Sequence, residues 1–192
     1  MNWENLTIAK ALREAAEQWG NRESLVSKQE RLTYSGLYEA ACRLAWGFSK
    51  IGIKRGDHVV TIFGSAPEWV ITKYALHILG AVIVPVNVNF KAAEIGFILK
   101  QADVSTIITV DKLRTGNYLE ILKEIDQGIP LARGKKIQSK ALPLLQRIIC
   151  FSPEKIKYAY CHDFYDVLHS GRDFSAKEID RLVERGKAED PC

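Results

Sequence analysis

The segment from Gly52 to Phe90 constrains the fold most, because it reads as a strand, a helix and a second strand with clear boundaries. His58–Phe63 has the β-branched and aromatic composition of a buried strand. The helix is predicted to be capped by Ser65, at the start of a Ser-Ala-Pro-Glu sequence, and to end at Gly80. Ala81–Val86 is a second apolar strand. Two strands joined by a crossover helix predict a parallel pair with a right-handed connection.

The rest of the chain continues this alternation of helices and strands. Helices are expected at 6–19, 36–51, 92–101, 118–125, 163–170 and 176–185, and strands at 24–27, 31–34, 104–110 and 147–151. The alternation predicts the α/β class, with an open, mostly parallel sheet and helices on both faces. Residues 127–143 contain Gly128, Pro130 and Gly134 without a helix or strand period, so they are predicted to form a mobile loop.

The composition argues against several classes of partner. The chain is 47% hydrophobic and 26% charged, as expected for a soluble globular protein. Its 27 basic and 23 acidic residues are dispersed, which predicts no nucleic-acid partner. There is no apolar signal segment, and no apolar run is long enough to form a transmembrane segment. A cytoplasmic location is therefore expected, with free thiols at Cys42, Cys150, Cys161 and Cys192.

The tripeptide Cys161–Asp163 combines a nucleophile, a base and an acid, but three adjacent residues do not normally converge on one reacting atom. The sequence predicts a helix start here instead, with Asp163 near the cap. Asp111, Glu120 and Glu124 are predicted to be solvated charges.

Several short sequences resemble the N-terminal subdomain of AMP-forming acyl-CoA synthetases, within the adenylate-forming enzyme superfamily. The order and spacing of the matching pieces agree, which no single piece would establish. The resemblance implies that residues 1–192 form a single N-terminal subdomain, without the rest of the N-terminal domain or the C-terminal domain. The matching pieces are Leu32-Thr33-Tyr34 with Leu37, Gly52–Asp57, Ala66–Trp69, Gly80-Ala81-Val82, Val84–Asn87, and Glu94 with Ile98-Leu99.

The resemblance implies that the full-length enzyme joins a fatty acid to CoA, using ATP and Mg²⁺ and releasing AMP and pyrophosphate. The chain contains neither GxxxxGK[ST] nor GxGxxG, and no Ser/Thr/Gly-rich phosphate loop. Asp190-Pro191-Cys192 stands where the family continues into such a loop. The chain is therefore expected to be an inactive fragment that binds no cofactor alone and contains neither a catalytic residue nor a metal ligand.

Three residues are candidates for binding the nucleotide or CoA, all by resemblance. In relatives, the loop that here contains Asn87 and Asn89 lies near the nucleotide and CoA entrance. In some relatives an Arg after the strand that resembles 107–110 meets a CoA phosphate, and Arg114 is placed similarly. The alternatives are loop capping for the two Asn residues and a solvated charge for Arg114.

Other readings of the whole chain remain open at this point. An exposed apolar face is expected where a further subdomain would dock, and it could support a homodimer. One rival is a natural, short, non-enzymatic interaction module that retains the fold. Another is an unrelated flavodoxin-like or nucleotide-binding domain, which would require a phosphate loop at the carboxyl end of a strand.

Overall fold

The computed structural model describes residues 6–28, 30–131 and 136–191. Gln29 of the predicted hairpin, residues 132–135 of the predicted loop, and Cys192 lie outside these ranges. The helices are α1 (Ile8–Trp19), α2 (Tyr34–Lys50), α3 (Pro67–Leu79), α4 (Ala92–Gln101), α5 (Tyr118–Ile125), α6 (Phe164–Ser170) and α7 (Ala176–Arg185). The strands are β1 (Glu23–Val26), β2 (Arg31–Thr33), β3 (His58–Ile62), β4 (Val82–Pro85), β5 (Thr106–Val110), β6 (Lys112–Leu113), β7 (Gly116–Asn117), β8 (Arg147–Phe151) and β9 (His162–Asp163).

Five strands form one sheet in the order β4-β3-β5-β8-β9. β3 pairs with β5, β5 with β8, and β8 with β9, all in parallel. Every residue of β5 and β8 is buried, which explains why both strands consist of apolar and threonine residues, apart from Arg147 at the start of β8. The predicted α/β class with an open, parallel sheet is confirmed. The predicted hairpin of β1 and β2 is also present, and β6 and β7 form a second, smaller hairpin.

The chain divides into two compact units. The first contains Met1–Gly56, Ser65–Val82 and Val167–Cys192, and its helices α1, α2, α3 and α7 pack on one another. The second contains Asp57–Gly64 and Ile83–Asp166, and it holds the five-stranded sheet with α4 and α5. Within the described residues, no helix is long and apolar enough to span a membrane.

Two predicted helix caps are wrong by one or two residues. Ala66 is the N-cap of α3 and makes no side-chain cap, so Ser65 lies one position too early to serve as the N-cap. Thr33 caps α2 in place of the predicted Ser35, because its Oγ1 accepts the backbone N–H of Gly36 at 3.1 Å. The end of α3 agrees with the sequence, since Gly80 adopts φ 72°.

Two glycines in the first unit allow an unusually close contact of α2 with the segment around the end of α6. A Cβ added at Gly47 would lie 2.1 Å from the carbonyl oxygen of Val167. A Cβ added at Gly171 would lie 1.8 Å from the carbonyl oxygen of Arg43. Both contacts are with backbone atoms, which cannot rotate away as a side chain can. Glycine at both positions is therefore a packing requirement.

Candidate functional site

The carboxyl edge of the sheet contains a topological switch point. The chain runs from β3 out to β4 on one side, then returns past β3 to β5 on the other side. In open α/β sheets, ligands bind outside the carboxyl ends of the strands at such a reversal. Leu113 of the β6–β7 hairpin lies against Gly64, which follows β3, since a Cβ at Gly64 would lie 3.3 Å from the Leu113 Cδ1. The hairpin therefore lies beside the carboxyl end of β3, next to the switch point.

Asp111, directly after β5, anchors this edge. Its side chain is only 1% exposed, so the predicted solvated charge is wrong. The carboxylate accepts the backbone N–H of Lys112 at 2.6 Å and the hydroxyl of Tyr158 at 3.2 Å. Burial, with a smaller effect of the Asp111 charge, raises the pKa of Tyr158 to about 12, so this hydroxyl remains a donor at neutral pH. Asp111 thereby links the segments that follow β5 and β8.

The loop after β4 carries Asn87 and Asn89, and both side chains are exposed. The Asn87 Oδ1 accepts the backbone N–H of Asn89 at 2.9 Å, and the Asn87 carbonyl accepts the N–H of Phe90 at 3.1 Å. The Asn87 side chain is therefore engaged in loop capping, the alternative that the sequence left open. A role of the exposed Asn87 and Asn89 side chains in ligand contact stays a prediction.

Arg114 lies at the turn of the β6–β7 hairpin and is exposed. The structure brings this turn and the Asn87 loop together through the fully buried Tyr118. The Tyr118 hydroxyl donates to the carbonyl oxygen of Val88 at 2.7 Å and lies 2.7 Å from Oγ1 of Thr115. All three candidate residues therefore belong to one group of loops at the carboxyl edge of the sheet.

A second link joins the same two segments. The ammonium group of Lys91 lies 3.4 Å from the carbonyl oxygen of Thr115. Lys91 precedes α4, and the carboxylate of Glu94 accepts its backbone N–H at 2.9 Å. Lys91 and Arg114 thus place two cationic side chains in these loops, which favours an anionic ligand.

An aromatic cluster flanks these polar loops. Phe63, which follows β3, stacks on Phe151 of β8 with ring centroids 6.2 Å apart. Phe164 and Tyr165 both lie 5.9 Å from Phe151 in edge-to-face arrangements. Tyr165 is 36% exposed, so part of the cluster reaches the surface. Apolar walls beside a few convergent polar groups are typical of small-molecule sites.

The tripeptide Cys161–Asp163 does not form a nucleophilic site. Cys161 is a buried thiol beside Cys150, and its hydrogen bond, together with burial, raises the pKa of Cys150 well above the ordinary value. The Cys161 side chain is only 3% exposed, so its sulfur is not open to a substrate. Asp163 accepts the backbone N–H of Asp166 at 2.9 Å, which confirms the predicted role at the start of α6.

A small cavity of about 110 Å³ lies in the first unit, lined in part by Thr7, His77, Gly186 and Asp190. Drug-sized ligands occupy pockets of roughly 300–1,000 Å³, so this cavity is too small for a nucleotide. Burial, with a smaller effect of Lys73, lowers the pKa of His77 to about 4. Among the residues that the structure describes, no three His, Cys, Asp or Glu side chains are grouped to hold a metal ion.

Sequence reasoning missed Asp111 and Tyr118, the residues that organise the candidate site. A weak signal for Asp111 exists, because it directly follows a continuous buried strand at the sheet edge where ligands bind. Tyr118 carries no comparable signal, since its partners Val88 and Thr115 are defined only by the folded chain.

Comparison with known proteins gives the chain its family. The sequence profile of the AMP-binding enzymes matches residues 12–157. YngI of Bacillus subtilis (strain 168), which is named as an acyl-CoA synthetase, is 28% identical over 164 residues, or 84% of this chain and 30% of YngI. The mitochondrial medium-chain acyl-CoA ligase ACSF2 of Rattus norvegicus is 29% identical over 147 residues, which is 76% of this chain and 24% of that protein.

The fold has relatives among solved structures. The anthranilate CoA ligase AuaEII, crystallised with anthranoyl-AMP, superposes with a TM-score of 0.71 at 19% identity, covering 86% of this chain and 28% of AuaEII. At that identity the likeness supports the fold alone. The chain spans between about a quarter and a third of the length of these proteins. Since the family profile matches more than half of the sequence, the chain belongs to the family of AMP-binding enzymes.

Proposed function

We propose that the chain forms a wall of the nucleotide and CoA entrance in an AMP-forming acyl-CoA synthetase that acts on fatty acids. The family match over residues 12–157 carries this proposal. The names of the two relatives, an acyl-CoA synthetase and a medium-chain acyl-CoA ligase, support the class of substrate. In the proposed reaction, a fatty-acid carboxylate displaces pyrophosphate from ATP, and the CoA thiol then displaces AMP from the acyl-adenylate.

The role of this chain in that reaction is binding rather than chemistry. The carboxyl-edge loops offer Arg114 and Lys91 as cations for a phosphate, and the nearby aromatic cluster offers an apolar wall. The described residues do not fit Mg²⁺, because they contain no group of three suitable ligands. The sequence also contains no phosphate loop. No step of the reaction is therefore assigned to a residue of this chain.

A pyrophosphate-release assay tests whether this chain contributes binding but no chemical step. The purified 192-residue chain is mixed with ATP, Mg²⁺, CoA and fatty acids of several lengths. No release above background is expected, because the sequence contains no phosphate loop whose N–H groups would hold the triphosphate. Turnover that copurifies with the chain would refute the assignment of binding alone.

A titration tests the binding role directly. The sequence alone predicts that the isolated chain binds no cofactor, but the structure places two cationic side chains, Lys91 and Arg114, in these loops. We therefore expect isothermal titration of the chain with CoA to show weak, salt-sensitive binding, since phosphate–cation contacts at an exposed site are screened by salt. Arg114→Ala should weaken that binding. Arg172→Ala is the matched control, because Arg172 is also an exposed arginine but lies in the first unit. This variant should leave CoA binding unchanged. Equal affinities for the two variants would contradict a role for Arg114.

The proposal also includes a homodimer and a location in the cytoplasm. Phe97 and Leu144 are apolar side chains that are 65% and 51% exposed in the second unit, and burying them against a second copy would favour a homodimer. Sedimentation of the concentrated chain measures this, and a strictly monomeric chain counts against a homodimer. The free thiols of Cys42, Cys150 and Cys161 support a reducing compartment such as the cytoplasm.

A further inference from the structure

The hydroxyl of Tyr118 is a fixed point between two exposed loops. The side chain is 0% exposed, so packing around the ring leaves the hydroxyl little freedom to move. A phenolic hydroxyl has one proton to donate and can also accept. Here it donates to the Val88 carbonyl at 2.7 Å and is positioned to accept from the Thr115 hydroxyl at 2.7 Å. One oxygen atom thereby joins the loop after β4 to the hairpin turn after β5.

The position of Tyr118 is itself anchored. It is the first residue of α5, where the side chain of Asn117 caps the helix by accepting the N–H groups of Leu119 and Glu120. The backbone N–H of Tyr118 donates to the carbonyl oxygen of Asp111 at 2.8 Å. The buried end of β5 and the start of α5 therefore both hold the ring.

We infer that Tyr118 is a positioning residue that holds Asn87, Asn89 and Arg114 in one arrangement for a phosphate-bearing nucleotide. This inference rests on the proposed function. Val88 lies between the two Asn residues, and Thr115 follows Arg114, so each bond of the hydroxyl restrains the immediate neighbour of a candidate ligand residue. Loops that are already ordered lose less conformational entropy when a ligand binds, and the smaller entropic cost raises the affinity.

The experiment compares Tyr118→Phe with the wild-type chain. The substitution removes only the hydroxyl and keeps the buried ring. Amide hydrogen exchange at Asn89 and Phe90 reports on the loop after β4, and exchange at Gly116 reports on the hairpin. Exchange at both places should become roughly fivefold to tenfold faster, as expected for the loss of one ordinary hydrogen bond on each side. The dissociation constant for CoA should rise by a similar, roughly fivefold factor, measured where both proteins are fully folded.

Two further variants complete the experiment: one removes a single hydrogen bond of the Tyr118 hydroxyl, and the other is a control. Thr115→Ala should speed exchange at Gly116 while leaving Asn89 unchanged, because the bond from Tyr118 to Val88 remains. Tyr74→Phe removes a hydroxyl from a half-buried tyrosine in the first unit and should change neither exchange in the two loops nor CoA affinity. The CoA affinity of folded protein is the measurement that a purely structural tyrosine would not alter.

The possible outcomes are distinct. If wild type binds CoA and Tyr118→Phe binds it equally well, the positioning role is wrong while the proposed function stands. If Tyr118→Phe leaves exchange in both loops unchanged, the coupling itself is wrong. If wild type binds no CoA, the proposed function of these loops fails, and the inferred binding role of Tyr118 fails with it.

Discussion

Gly47→Ala should destabilise the chain, although alanine is the better helix former. Gly47 lies near the end of α2, so its replacement gains about 1 kcal/mol of helix propensity. The new Cβ would lie 2.1 Å from the oxygen and 3.0 Å from the carbon of the Val167 carbonyl group. Overpacking in a fixed site costs about 1–3 kcal/mol, and the upper end applies because the obstructing atoms are backbone. The net loss of unfolding free energy is therefore about 2 kcal/mol.

Gly36→Ala is the matched control in the same helix. A Cβ at Gly36 would meet the Thr33 Oγ1 at 3.4 Å, an ordinary contact, so this variant should be as stable as wild type or slightly more stable. Thermal and urea unfolding followed by circular dichroism measure both. For a chain of this size, Gly47→Ala should lower Tm by about 4–8 °C, taking 2–4 °C for each kcal/mol. Equal stability of the two variants would refute the close-contact reasoning.

Three ionisable side chains should give separable effects on stability, each measured by urea unfolding across pH. Asp126 accepts the Ser139 hydroxyl at 2.5 Å and backbone N–H groups, which holds its pKa below the ordinary value. Asp126→Ala should therefore cost about 1 kcal/mol at neutral pH, with the difference from wild type vanishing as pH falls below about 4. His77 has its pKa lowered to about 4, so wild type should lose about 2 kcal/mol as pH falls from about 6.5 towards 4, and His77→Gln should not. Asp111→Ala should cost about 2–3 kcal/mol, because it removes the buried carboxylate that accepts both the Lys112 N–H and the Tyr158 hydroxyl, and an unchanged stability would contradict the role of Asp111 as an anchor.

The elements with a clear period were predictable from the sequence. α4, α5 and β8 have the bounds that the pattern indicates, because each is a compact run of apolar residues between polar punctuation. The first residues of α2 and α3 were not predictable, since several neighbouring residues can serve as the N-cap. Only the backbone conformation decides which of them does. Ala66 adopts an extended conformation before Pro67 and is itself the N-cap, so Ser65 lies one residue outside the capping position.

The candidate site was predictable only as separate pieces. Asn87, Asn89 and Arg114 could be named from the resemblance, yet nothing in their spacing shows that one tyrosine joins their loops. An Asp residue is normally expected at the surface. Asp111 is buried with its carboxylate hydrogen-bonded to the next residue and to Tyr158, which lies 47 positions away. Such contacts depend on the packed arrangement of distant segments, which periodicity does not encode.

The division into two units has a consequence for how the chain acquires its structure. The polypeptide passes between the units four times, and the first unit is completed only by the segment that begins at Val167. Arg13 of α1 pairs with Glu184 of α7 across 171 positions of sequence. Because contacts of such long separation slow folding, the N-terminal helices should remain incompletely packed during synthesis until α7 has left the ribosome. The synthesis of α7 therefore sets the earliest moment at which α1 can complete its packing.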